Sequence, residues 1–152
     1  MPKRDSYQVS LKLILKNDND EVLILKARPE GSLAGYYDLP GGRMDVEEFT
    51  TSFAQIIKRE IAEEIGDVKI SLCLKPVALG RHLIAANITS EKKDLHILYI
   101  FFEAKLLSGE VKISEEHTGF DWVDLNEHEP KKLFTSGILE GITMYLSETQ
   151  KI

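Results

Sequence analysis

Leu39-Pro40-Gly41-Gly42-Arg43-Met44-Asp45-Val46-Glu47-Glu48, followed after ten residues by Arg59-Glu60-Ile61-Ala62-Glu63-Glu64-Ile65-Gly66, is the stretch on which the reading of this chain turns. Glu60, Glu63 and Glu64 stand at i, i+3 and i+4, a spacing that gathers them on one face of a helix advancing about 100° per residue. Like charges within one turn repel, and as spacing alone this suits a solvated face. The neighbouring residues decide between readings. Phe53, Ile57, Ile61 and Ile65 recur at intervals of four with Ile56 beside them, and mark an apolar stripe; Gln55, Lys58 and Ala62 mark the outward side. The glutamates fall between the stripe and Arg59, so they border the buried face, where unpaired carboxylates are costly. A hard divalent cation such as Mg2+, which takes oxygen ligands and keeps water or phosphate in its other positions, relieves that repulsion. Pro40-Gly41-Gly42 reads as a tight bend poor in Cβ atoms, where backbone groups approach a ligand closely and a carbonyl can add an oxygen ligand. Gly66 reads as the residue that closes the helix.

Length and composition set the outer bounds. A chain of 152 residues, 43% hydrophobic and 29% charged, is expected to form one globular domain over residues 1–152. Its formal charge of -6 argues against general nucleic-acid binding, yet leaves room for a nucleotide held through bridging metal ions. Cys73 is the one cysteine, so no disulfide forms within the chain, and a reducing compartment is expected. Its alternating surroundings predict a buried or half-buried thiol. No apolar run reaches membrane-spanning length and Met1-Pro2-Lys3-Arg4-Asp5 lacks a signal-peptide core, so a cytoplasmic protein with no membrane partner is expected.

Along the chain, Tyr7 to Lys16 alternates as a strand with one face in the core, Asn17 to Asp20 reads as a hairpin turn, and Glu21 to Ala27 as the return strand. Arg28 sits at that strand's end and reads either as a phosphate contact or as a surface arginine. Val68 to Lys75 and Val77 to Ile88 read as two strands divided or bent at Pro76. Leu95 to Ala104 is the most apolar strand and is expected at the centre, covered on both faces. Leu107 to Glu110 reads as a hairpin turn, Phe120 to Val123 as a strand with Trp122 in the core, and Ser136 to Glu148 as a closing helix packed on the sheet. His96 is expected as a satisfied core or edge histidine. The order of elements fits a mixed sheet between helices, an α/β fold.

Gly42, Glu48, Arg59, Glu60, Ile61, Glu63, Glu64 and Gly66 resemble the Nudix box: Gly, five residues, Glu, seven residues, Arg-Glu, an aliphatic, any residue, Glu-Glu, any residue, Gly and an aliphatic. Two departures stand out. Ten residues, Phe49 to Lys58, separate Glu48 from Arg59, three more than the family's seven, and Asp67 replaces the last aliphatic. The resemblance implies a Nudix-type α/β/α sandwich and a Mg2+-dependent hydrolase, with Mn2+ as substitute, that cleaves the diphosphate linkage of a nucleoside diphosphate joined to another moiety. It implies Glu60, Glu63, Glu64 and the Gly41 carbonyl as metal ligands, and Arg59, paired with Glu48, as the residue that orients the glutamates. Glu115 or Glu116, in an acidic loop like the family's, is a further ligand or the general base, or else part of a solvated loop. Tyr36 or Tyr37 resembles the family's aromatic before the glycines and stacks on a base or packs; Tyr37, Arg28 and Arg43 are taken as the substrate contacts. A homodimer is a family-level expectation. The alternatives are an inactive nucleotide-binding module and a prenyl-diphosphate isomerase. The intact glutamate set opposes the first, and the distance of Cys73 from the glycines opposes the second. Nucleoside triphosphates, ADP-ribose and other nucleotide sugars, dinucleoside polyphosphates and CoA all stay open as substrates.

Overall fold

The computed structural model describes residues 1–150, with side chains as far as Ser147; the last two residues of the expected 1–152 span lie outside the described residues. The first apolar alternation forms β1 (Tyr7–Lys16) and β2 (Val22–Ala27). They are joined by a turn in which the Asn17 side-chain oxygen accepts the Asn19 and Glu21 N–H groups at 2.9 and 3.0 Å. Then follow β3 (Tyr37–Asp38), β4 (Gly41–Arg43), a 3-10 turn at Val46–Thr50, α1 (Phe53–Ile65), β5 (Lys69–Ile84), β6 (Leu95–Ser108), β7 (His117–Val123), α2 (Pro130–Leu133) and α3 (Ser136–Gln150). The Ser52 hydroxyl caps α1 by accepting the Gln55 N–H at 3.2 Å, and Gly66 ends it at φ 88°.

The strands form one mixed sheet in the order β3-β2-β1-β6-β5, with β4 paired to β1 and β7 paired to β2. Only β1 and β6 run parallel. Leu11, Leu13 and Leu15 of β1 and Leu23 and Leu25 of β2 pack against Ile56, Ile57, Ile61 and Ile65 of α1. On the opposite face Ile14, Ile24, Tyr99 and Phe101 meet Ile138, Ile142 and Tyr145 of α3. The result is the expected α/β/α sandwich. No described helix is long and apolar enough to cross a membrane.

Several local expectations are corrected. β1 buries both faces, Lys12 included, because both helical layers cover it. Pro76 does not end a strand: β5 runs through it, and only the pairing with β6 becomes irregular between Cys73 and Ala78, where a residue without an N–H is tolerated on an edge strand. β5 stops at Ile84, and Ala86–Ile88 is a 3-10 turn. Leu107 to Glu110 is no hairpin turn. β6 extends to Ser108, and β7, beginning at His117, pairs with β2 instead. Cys73 is exposed, pointing away from the side on which its neighbours Ile70 and Leu72 pack against the core. Pro40-Gly41-Gly42 reads as a bend, but Gly41 and Gly42 belong to the short strand Gly41–Arg43 beside β1.

Candidate active site

The site begins where β1 and β2 part. They pair only at Lys16 and Val22; farther along, β4 takes the place of β2 beside β1, and β3 lies along β2. The Asp38–Gly41 segment therefore passes through the splay. The Leu13 N–H donates to the Pro40 carbonyl at 2.8 Å. The buried Lys12 ammonium lies 3.0 Å from the Asp38 carboxylate and donates to the Leu39 carbonyl at 3.3 Å. Both glycines are required by contact. Gly41 has φ 136°, and a Cβ there would lie 1.9 Å from the Leu11 carbonyl oxygen. At Gly42 a Cβ would lie 2.3 Å from Glu60 Oε2, so the missing side chain is what lets that carboxylate lie against the strand.

The three box glutamates occupy three environments. Glu64 is 2% exposed, and its Oε1 accepts the Gly41 N–H at 2.5 Å. Glu60 is half-buried, 3.0 Å from Arg59 Nη1. Glu63 is turned outward, its side chain 55% exposed, and meets the same Arg59 nitrogen at 3.3 Å. Glu48 reaches Arg59 despite the longer spacing: Arg59 Nη2 donates to both Glu48 oxygens at 2.8 Å. The extra residues are absorbed by the 3-10 turn and the Ser52 cap, which return the chain before α1 starts.

The connection from β6 to β7 completes the site. Its Lys112 and Ser114 N–H groups donate to the carbonyls of Ile65 and Glu64 at 2.9 and 3.0 Å, filling acceptors that the end of α1 leaves open. The chain then lays Glu116 and His117 over Glu64. Donor atoms of Glu64, Glu116 and His117 lie within 4.8 Å of one another. Beside them is a cavity of about 370 Å³ lined by Arg28, Ser32, Leu33, Asp38, Glu116 and His117. Arg28 also donates to the Glu115 carbonyl at 2.7 Å. His82 ties Ser32 on the cavity wall to Ser136 at the start of α3, at 2.8 and 2.7 Å. Arg43 is elsewhere, bonded to Gln8 at 2.8 Å, beside a smaller cleft that it shares with Lys12 and Tyr99. Tyr37 is half-buried against the α3-side core, while Tyr36 is more open.

Burial dominates the electrostatics. It pushes the Glu64 carboxyl up to about 8, against the pull of the Lys12 ammonium. It raises Glu60 as well, opposed by Arg59. At Asp38 burial also works upward, but Lys12 and His117 outweigh it and hold the carboxyl below its ordinary value. Two carboxylates that are disfavoured as anions, with Glu116 adding to the charge against both, form a donor set that fits a divalent cation. Lys12, Asp38, His82 and His117 are the members of this neighbourhood that sequence reasoning missed. For Lys12 the signal was a lysine in an apolar run and for Asp38 an acid just before Leu39-Pro40, and both needed the strand pairing to acquire meaning.

The NUDIX domain profile matches residues 6–140. The nucleoside triphosphatase NudI of Escherichia coli O1:K1 / APEC is 26% identical over 135 residues, covering 83% of this chain and 94% of that protein. Among solved structures, the MutT protein from Methanosarcina mazei Go1 matches 99% of this chain and 100% of its own with a TM-score of 0.72 at 22% identity. The MutT NUDIX hydrolase from Burkholderia pseudomallei matches 91% of this chain and 99% of its own, with a TM-score of 0.63 at 26% identity. With the profile spanning nearly the whole chain and the box residues drawn together at one end of α1, this protein belongs to the Nudix hydrolase family.

Proposed function

We propose that the chain, acting as a single domain, hydrolyses the diphosphate linkage of a nucleotide. The observation that carries this is the seating of Glu60 and Glu64 against the Gly41–Gly42 strand, next to a cavity that ends at Glu116. Glu60, Glu64 and the Gly41 carbonyl are the ligands for Mg2+ or Mn2+; Glu63 joins them by turning from Arg59. Bound there, the cation neutralises phosphate charge and acidifies a water. The chain's own groups do the rest. Arg59, fixed by Glu48, restrains the Glu60 and Glu63 carboxylates. Glu116, exposed at the cavity mouth, takes the proton of the attacking water. Water adds to one phosphorus, the bridging P–O bond breaks, and two phosphate-bearing products leave. Arg28 lines the cavity and contacts a phosphate, with Arg43 and Tyr37 as outer contacts.

The name of the Escherichia coli relative puts nucleoside triphosphates first in a panel that also holds ADP-ribose, dinucleoside polyphosphates and CoA. Release of monophosphate or pyrophosphate is measured with and without Mg2+. Metal-dependent turnover of at least one substrate, abolished in Glu64→Gln with the fold retained, is the expected result. A Glu64→Gln variant as active as the parent sinks the assignment.

A further inference from the structure

His117 opens β7 and is 8% exposed, and Nδ1 is buried without any hydrogen-bond partner. Its other nitrogen, Nε2, lies 3.5 Å from Asp38 Oδ2. Asp38 is an ionised acceptor held by Lys12, so the ring's proton belongs on Nε2 and Nδ1 is left as a lone pair. That lone pair faces Glu64 Oε2 at 3.7 Å, too far for a hydrogen bond. Nδ1 is thus left buried without a partner, beside a carboxylate oxygen that no hydrogen bond joins to it. Two donors bound to one cation at about 2.0–2.2 Å stand about 2.8–3.8 Å apart for angles between a right angle and a trigonal one. The gap between Nδ1 and Oε2 falls in that range, and Glu116 closes the third side.

We propose that His117 Nδ1 joins Glu64 as a ligand of the active-site cation, with Glu116 beside them as the base, making a mixed nitrogen–oxygen centre that favours Mn2+ or Co2+ over Mg2+. This rests on the reading of the site as a cation-dependent hydrolase. The surroundings match what an imidazole ligand requires. A ligating histidine donates its second N–H to a carboxylate that fixes the tautomer, and here Asp38 stands in that position, itself clamped by Lys12. Softer nitrogen donors suit later divalent metals, whereas an all-oxygen set suits Mg2+.

The test reads the metal directly. The unmodified protein is loaded with Mn2+ and examined by pulsed electron paramagnetic resonance for nitrogen-14 modulation. Imidazole nitrogen coupling is expected, and it disappears in His117→Gln while Mn2+ still binds through the carboxylates. Calorimetry should then show Co2+ affinity falling about tenfold or more in His117→Gln, with Mg2+ affinity within about threefold. Bound Mn2+ without nitrogen coupling in the unmodified protein overturns the inference and leaves the hydrolase reading standing; such a spectrum fits an imidazolium bridging Asp38 and Glu64. Coupling that persists in His117→Gln also overturns it, since the cation then sits on another nitrogen donor. Coupling present in a protein that hydrolyses nothing in the substrate panel supports the ligand and sinks the hydrolase reading instead.

Discussion

Glu64 carries two demands at once. It lies between Ile61 and Ile65, which anchor α1, and its carboxylate is the most deeply placed acid of the box. Burial that lifts its carboxyl from 4.5 to about 8 favours the neutral form in the folded, metal-free chain. The sign follows: the stability associated with this group is fully present below about 4.5 and is lost as pH rises through about 8. In EDTA, the unfolding free energy from urea titration should therefore fall between pH 5 and pH 9 more steeply for the parent than for Glu64→Gln, by an amount on the order of a few kcal/mol. Parallel profiles for the two proteins would show that the group titrates normally. Mg2+ or Mn2+ should oppose this loss; at one hundred times its dissociation constant a cation that binds only the folded state adds about 2.7 kcal/mol. A thermal melt at pH 8, with and without metal, measures it.

At the scale of the element, β4 is three residues long yet sets where the acids lie. Its two glycines fail differently when filled. Gly41→Ala meets the backbone of β1 in a left-handed conformation, and should destabilise the fold by about 3 kcal/mol or more. Gly42→Ala meets only the end of the Glu60 side chain, which can turn away. It should melt within a few degrees of the parent but lose most of its turnover, about tenfold to a hundredfold, because Glu60 no longer lies against the strand. Equal loss of stability in both variants would remove Glu60 from the explanation. The box was legible in the sequence because α1 is a long, strongly periodic helix whose spacing fixes which residues share a face. β4 was misread because a Pro-Gly-Gly run has the composition of a bend. Its strand character comes from hydrogen bonds to β1, made across some thirty residues of sequence.

For the whole molecule the decisive feature is the divergence of β1 from β2, and Lys12 is buried at the point where they separate. Its ammonium joins β1 to the segment that carries Asp38 and Leu39, so it couples the sheet to the site. Lys12→Met leaves Asp38 buried without its ammonium partner, and should cost about 3–5 kcal/mol in denaturant titration. Lys12→Met combined with Asp38→Asn removes both charges and should recover most of that loss. A double variant as unstable as the single one would mean that packing, rather than charge pairing, holds the segment.

The sequence alone determined the layers, the acid-bearing helix and the family, because each rests on local periodicity or on a motif of fixed spacing. It could not assign Lys12, Asp38 and His117 to the site, nor show that Glu48 still reaches Arg59 across the longer spacing. Those depend on where chain segments far apart in sequence cross. The crossings are set by strand pairing and by the end of α1 capturing the β6–β7 connection. Local preference is carried in each residue and its near neighbours, whereas the burial that orders three acids into buried, half-buried and exposed exists only once both helical layers have closed on the sheet.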